Sequence, residues 1–174
     1  MSLDELISDK SKKTKEKTET ISKWLLDGSL PVDELIAFAE KSRDAEKATC
    51  IEALEYATTQ NPGLAVESVF SFVSKSLTEK APRVKWESAK VIGNIVHLFP
   101  LKCNKAIGPL LKNAEHDGTV VRWAAAYALG ETLKLKTKHN QDLLPAIETL
   151  CHNEENNGVK KKYLEAIKKI KKES

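Results

Sequence analysis

The chain has 174 residues, of which 41% are hydrophobic, 30% charged and only 6% aromatic, the profile of a folded soluble protein rather than a disordered or fibrous one. Seven glycines and six prolines are too few for a Gly-rich phosphate loop or for the turns of a many-stranded sandwich. Lys and Arg number 28 against 25 Asp and Glu, and the formal charge of +3 is too small to demand nucleic acid or a membrane as partner.

In chain order, the first apolar segment is LDELI from Leu3, followed by a stretch carrying Ile21, Trp24 and Leu25. Four longer couples follow: VDELIAFAEK from Val32 with AEKATCIEALEY from Ala45, and LAVESVFSFVSKSL from Leu64 with VKWESAKVIGNI from Val84. The others are NKAIGPLLKNA from Asn104 with VRWAAAYALGET from Val121, and NQDLLPAIETLC from Asn140 with VKKKYLEAIKKI from Val159. Apolar residues recur at three and four within each segment, which predicts amphipathic helices. Breaks fall between them at Asn61-Pro62-Gly63, Ala81-Pro82, Pro100, Asp117-Gly118 and Asn156-Asn157-Gly158.

The second members of the couples resemble one another at offsets of 39, 37 and 38 positions, starting from Ala45, Val84, Val121 and Val159. A period of this length signals a solenoid. The prediction is an all-α, right-handed superhelix of about five stacked antiparallel helix pairs, with units near 1–29, 30–61, 62–100, 101–137 and 138–174.

Ala106 to Glu131 resembles a HEAT repeat, a family of armadillo-like α-solenoids. The resemblance rests on Pro109 within the first helix, Asp117 in the turn, then Val121-Arg122, Ala125, Ala126 and Leu129-Gly130. It implies recognition of macromolecules on a curved surface and does not imply an enzyme. HEAT-like DNA alkylation-repair proteins are a weaker resemblance. Their essential carboxylate has no counterpart one turn beyond the tryptophans, where Lys90 and Tyr127 stand. HEAT-like deoxyhypusine hydroxylases hold iron through His-Glu pairs, and this chain offers only His116-Asp117. Bilin lyases have similar repeats and no short motif that can be placed here.

On each second helix, positions four, seven, eight and eleven past the origin return to one side and predict the core: Ser88, Val91, Ile92, Ile95 and Ala125, Ala128, Leu129, Thr132. Gly93 and Gly130 recur inside helices, where glycine costs about 1 kcal/mol, and predict close helix approach. Lys85, Arg122 and Lys160, one past the origin, form either a phosphate-binding row or a structural ladder with Asp117 as the acid serving Arg122. Glu46 stands where the first unit needs a base.

Positions two, six and thirteen point roughly 160 to 200° from the origin. They hold Trp86, Lys90 and His97, then Trp123, Tyr127 and Lys134, then Lys161, Glu165 and Lys172. On a concave face these aromatics, rimmed by Lys90, Lys134 and Lys161, form either a binding centre or a seal over the groove between helices.

Cys50, Cys103 and Cys151 lie in apolar patterns and predict reduced core thiols. The four histidines are scattered, so no metal and no cofactor is expected. With no apolar run of about 18 residues and with acids in the first residues, the expectation is a soluble, cytoplasmic monomer. The function these features point to is a non-catalytic scaffold that binds a protein, most simply an acidic segment, on its concave face. The alternative is backbone-directed nucleic-acid binding through Lys85, Lys90, Arg122, Lys134 and Lys160 to Lys162. Residues 1–60 carry 9 bases and 13 acids, the rest 19 and 12, which places the positive charge in the better repeats.

Overall fold

The computed structural model describes residues 1–173, and among them there are ten α-helices and no strand. They form five couples: α1 (Leu3–Ser8) with α2 (Thr14–Asp27), α3 (Val32–Glu40) with α4 (Asp44–Gln60), and α5 (Glu67–Ser76) with α6 (Pro82–Ile95). The last two are α7 (Asn104–Asn113) with α8 (Thr119–Leu133), and α9 (Asn140–Asn153) with α10 (Asn157–Lys172).

Local chemistry sets the helix ends. Ser2 and Glu5 close a capping box on α1, Gly28 ends α2 at φ 80°, Pro82 begins α6, and the Asn156 side chain accepts from the Val159 N–H at 3.1 Å. Pro109 and Pro145 lie inside α7 and α9. A proline there frees the carbonyl four residues back. Those carbonyls belong to the exposed Lys105 and Gln141, where water can serve them.

The second helices α2, α4, α6, α8 and α10 pack side by side as one layer, whereas α3, α5 and α7 touch one another over shorter stretches. More extensive packing of the second helices is what the inner layer of a curved solenoid would show. The predicted core positions from Ser88 to Ile95 and from Ala125 to Thr132 are all buried, as are the three cysteines. Gly93 and Gly130 mark the closest approaches. A Cβ on Gly93 would lie 2.2 Å from the Tyr127 ring, and one on Gly130 would lie 3.1 Å from the Ala166 Cβ.

One register differs from the sequence reading. In α4 the base that bridges to the next repeat is Lys47, so the matching offset to Lys85 is 38 and Glu46 is not the unit's missing rung. The phase was hard to read because α4 lies between α2, α3 and α6 and is buried at Ala48, Thr49, Cys50, Ile51, Ala53 and Leu54, leaving no apolar stripe to fix it.

Candidate functional site

The inner layer places Trp86 on α6 with Trp123 and Tyr127 on α8, all half-buried. Trp123 and Tyr127 stack at 6.0 Å between centroids and 23° between planes. The ammonium over them is Lys162 on α10, 5.2 Å from the Trp123 centroid and 5.9 Å from that of Tyr127, a cation–π arrangement. Its four-carbon stem crosses from the next repeat. Lys161, assigned to this rim from the helix projection, is instead exposed and 3.9 Å from Glu165.

Tyr127 is held from below. Its ring lies across Gly93, and its hydroxyl donates to Asn94 Oδ1 at 2.6 Å. The Asn94 amide donates in turn to Thr58 and Thr59 hydroxyls at 3.1 Å and to the Glu55 carbonyl at 3.3 Å. A polar belt therefore runs from α4 through α6 to α8. Burial, then Glu131 and Glu55, push the Tyr127 hydroxyl up to about 12. This ring lies between α6 and α8, and Trp86, Trp123 and Tyr127 all remain partly exposed.

Trp86 turns its indole N–H to Glu87 Oε1 at 2.8 Å. The Glu87 side chain is only 3% exposed, with Lys90 Nζ 3.5 Å away, and its Oε2 is buried with no hydrogen-bond partner among the described residues. Burial raises the Glu87 carboxyl and Glu52 and Glu55 raise it further, against Lys90. Lys90 and Lys134 thus both face acids of their own helices, the latter at 3.0 Å from Glu131. His97 leaves the row altogether: α6 ends at Ile95, and His97 sits exposed in a 3-10 turn, Val96–Leu98.

The bases one past the origin lie on the turn edge of the stack. Arg122 donates to Glu154 of the next repeat at 3.0 and 3.4 Å, and to the carbonyls of His116 and Asp117 at 3.1 and 2.9 Å. Asp117 contributes its backbone oxygen, and its carboxylate neither pairs with Arg122 nor caps α8, whose N-cap is Gly118. Burial opposes ionisation of Glu154, but the Arg122 bonds and backbone N–H groups outweigh it and hold the carboxyl below its usual value. Lys85 faces the Leu77 carbonyl and Asn113 Oδ1, both at 3.4 Å, and Lys47 meets Glu79 at 2.6 Å. Each base thus reaches the end of the following first helix or the turn after it. Lys160 holds the corresponding place on α10, beyond which no helix of the described chain packs. Bonds inside the protein engage Lys85 and Arg122, the groups that a phosphate row would have to present.

No protein-family model matches the sequence, and neither does any curated protein. Among solved structures, a designed armadillo repeat protein in complex with the peptide (KR)4 superimposes with TM-score 0.74 at 19% identity, over 95% of this chain and 79% of that one. A computationally designed armadillo repeat protein for modular peptide recognition gives 0.72 at 19% identity over the same shares. The complex of CpcE and CpcF of phycocyanin lyase from Nostoc gives 0.71 at 18% identity, over 94% of this chain and 96% of that one. With its five stacked couples and inner layer of second helices, the chain has the α-solenoid fold of armadillo- and HEAT-like repeat proteins.

Proposed function

We propose that the protein is a non-catalytic scaffold that holds an extended segment of a partner protein along its inner helix layer. The observation that carries this reading is the half-buried Trp123, stacked on Tyr127 with Lys162 over both rings, towards the α10 end of that layer. A rigid aromatic face with a cation beside it loses little side-chain entropy on binding, and such residues are enriched among binding hot spots. Acidic side chains of the segment would meet Lys162 at the α8–α10 end. The fold shared with designed peptide-recognising solenoids is compatible with this use of the surface.

The test is direct. Peptides enriched by the full chain from a displayed random library should lose binding by a factor corresponding to about 2 kcal/mol or more on Trp123→Ala. The far-UV circular dichroism of the variant should stay that of the parent. Full retention of binding would move the site off this face. A strong signal with single- or double-stranded nucleic acid that falls steeply with salt would instead favour the phosphate reading of the bases.

A further inference from the structure

The formal charge of +3 is spread unevenly across the stack. Each couple turns at one edge and passes to the next couple at the other, so the segments 97–105, 134–142 and the end of α10, 168–173, share the crossing edge. Contacts join them. The turn after α6 packs on α8, the Thr137 hydroxyl lies in hydrogen-bonding reach of the Cys103 thiol, and Lys136 Nζ stands 3.0 Å from Glu173. Together these segments hold nine lysines against two acids, Asp142 and Glu173. On the turn edge of the same couples, the segments 77–83, 112–119 and 152–160 hold four bases against five acids.

Apolar side chains stand out of this basic edge. Leu101 is 93% exposed and Leu98 42%, on a loop seated by Phe99, whose ring meets that of Phe70 at 5.2 Å between centroids. Val66 on the preceding crossing is exposed as well, and Lys102 reaches back to pair with its neighbour Glu67. Leucines held out in water by a fixed loop gain free energy from a surface that covers them. The bases of these segments are all lysines. Protein interfaces enrich arginine and aromatic residues and are depleted in lysine, and a fixed carboxylate or phosphate is best met by the planar fork of arginine. Ammonium groups on flexible stems suit negative charge that is itself mobile and spread over a plane, and a protruding leucine suits a surface that yields around it. An anionic lipid headgroup layer has both properties.

We propose that the crossing edge, from the loop after α6 to the end of α10, is a docking surface for an anionic lipid bilayer. Leu98 and Leu101 enter the headgroup region, and the lysines around them meet the lipid charges. The contact is peripheral, since no helix of the described residues is long and apolar enough to cross a membrane. The inner layer runs between the two edges and stays open to a protein segment, so this surface does not depend on the concave-face reading.

The experiment is co-sedimentation of the full chain with vesicles of phosphatidylcholine alone, or of phosphatidylcholine with about 30% phosphatidylserine. Only the anionic vesicles should carry the protein down, and the bound fraction should fall as salt rises. Lys105→Gln and Lys138→Gln, both at exposed positions, should each weaken partitioning by about fivefold. Leu101→Ala should weaken it by about the same factor without moving the urea midpoint, because the side chain is almost wholly in water. Leu101→Cys carrying an environment-sensitive dye reports entry directly, since the three native thiols are buried, and its emission should shift to the blue on anionic vesicles. No binding to anionic vesicles at low salt overturns the proposal. So does binding that neither Leu101→Ala nor the lysine variants weaken, or binding without the blue shift. Equally tight, salt-dependent binding to duplex nucleic acid that Leu101→Ala leaves unchanged would mark a general polyanion surface and overturn the lipid assignment.

Discussion

Replacing Gly93 by alanine tests whether the inner layer is built around the Tyr127 ring. In an open helix this change would stabilise the protein by about 1 kcal/mol. Here the new Cβ would sit 2.2, 2.5 and 2.8 Å from three ring carbons of Tyr127, where ordinary contact begins near 3.4 Å. The ring has to move by more than about 1 Å, estimated from that shortfall against normal van der Waals contact. It is not free to do so, being stacked on Trp123 and bonded at 2.6 Å to Asn94. Overpacking of this kind costs about 1 to 3 kcal/mol, and losing the Asn94 bond adds about 1 kcal/mol. Set against the propensity gain, Gly93→Ala should destabilise by about 1 to 3 kcal/mol, read as a lower urea midpoint by circular dichroism. The same substitution placed on Tyr127→Ala meets empty space and should be stabilising. That change of sign is the diagnostic coupling of a double-mutant cycle. If Gly93→Ala stabilises the parent protein, the ring does not require the glycine and the account of the belt is wrong.

Three other outcomes follow from the same packing. Arg122→Lys should lower stability by about 1 to 3 kcal/mol, because an ammonium cannot make the paired bonds to Glu154 together with those to two carbonyls; urea denaturation at low and high salt measures it. Tyr163→Phe should be neutral or stabilising by up to about 1 kcal/mol in the same assay, since the buried hydroxyl has no partner among the described residues. Stability should fall as pH rises from about 9 towards 12. Burial pushes the Cys50 thiol up to about 12 and is the chief cause that does the same for the Tyr127 hydroxyl, so the unfolded chain loses these protons first and is favoured at high pH. An unfolding midpoint constant from pH 8 to 11 would contradict that sign.

The fold was legible because its two strongest signals are local. Apolar spacing marks each helix, and glycine at a fixed place in the second helices marks where neighbours touch, as Gly93 and Gly130 do. The site was legible only in part, because its decisive contacts cross between repeats. Lys162 lies three past its origin, a position that a single-helix projection sends away from Trp123, yet its long stem spans the gap to the ring. Glu87 occupies the same position on α6 and is buried there. Ala124, its counterpart on α8, is buried as well, and Lys162 reaches back to the rings of α8. Of the two readings of Arg122, phosphate row or ladder with Asp117, the ladder fits, but its acid is Glu154 in the following repeat, 32 residues on, beyond the reach of any local motif.

These cross-repeat contacts determine how the surface can respond to a bound segment. The inner interfaces from α4 to α10 are tied by polar groups as well as by apolar packing. Arg83 and Asn94 fasten the two ends of α6 to α4, Tyr127 fastens α8 to α6, and Arg122 and Lys162 fasten the last couple to α8. A solenoid held only by apolar stripes can slide and twist at small cost, whereas hydrogen bonds at fixed points resist such motion because each must break before the helices shift. Trp86 on α6, Trp123 on α8 and Lys162 on α10 are therefore held at nearly constant separations. On the proposed concave-face reading, little binding energy would be diverted into ordering the site.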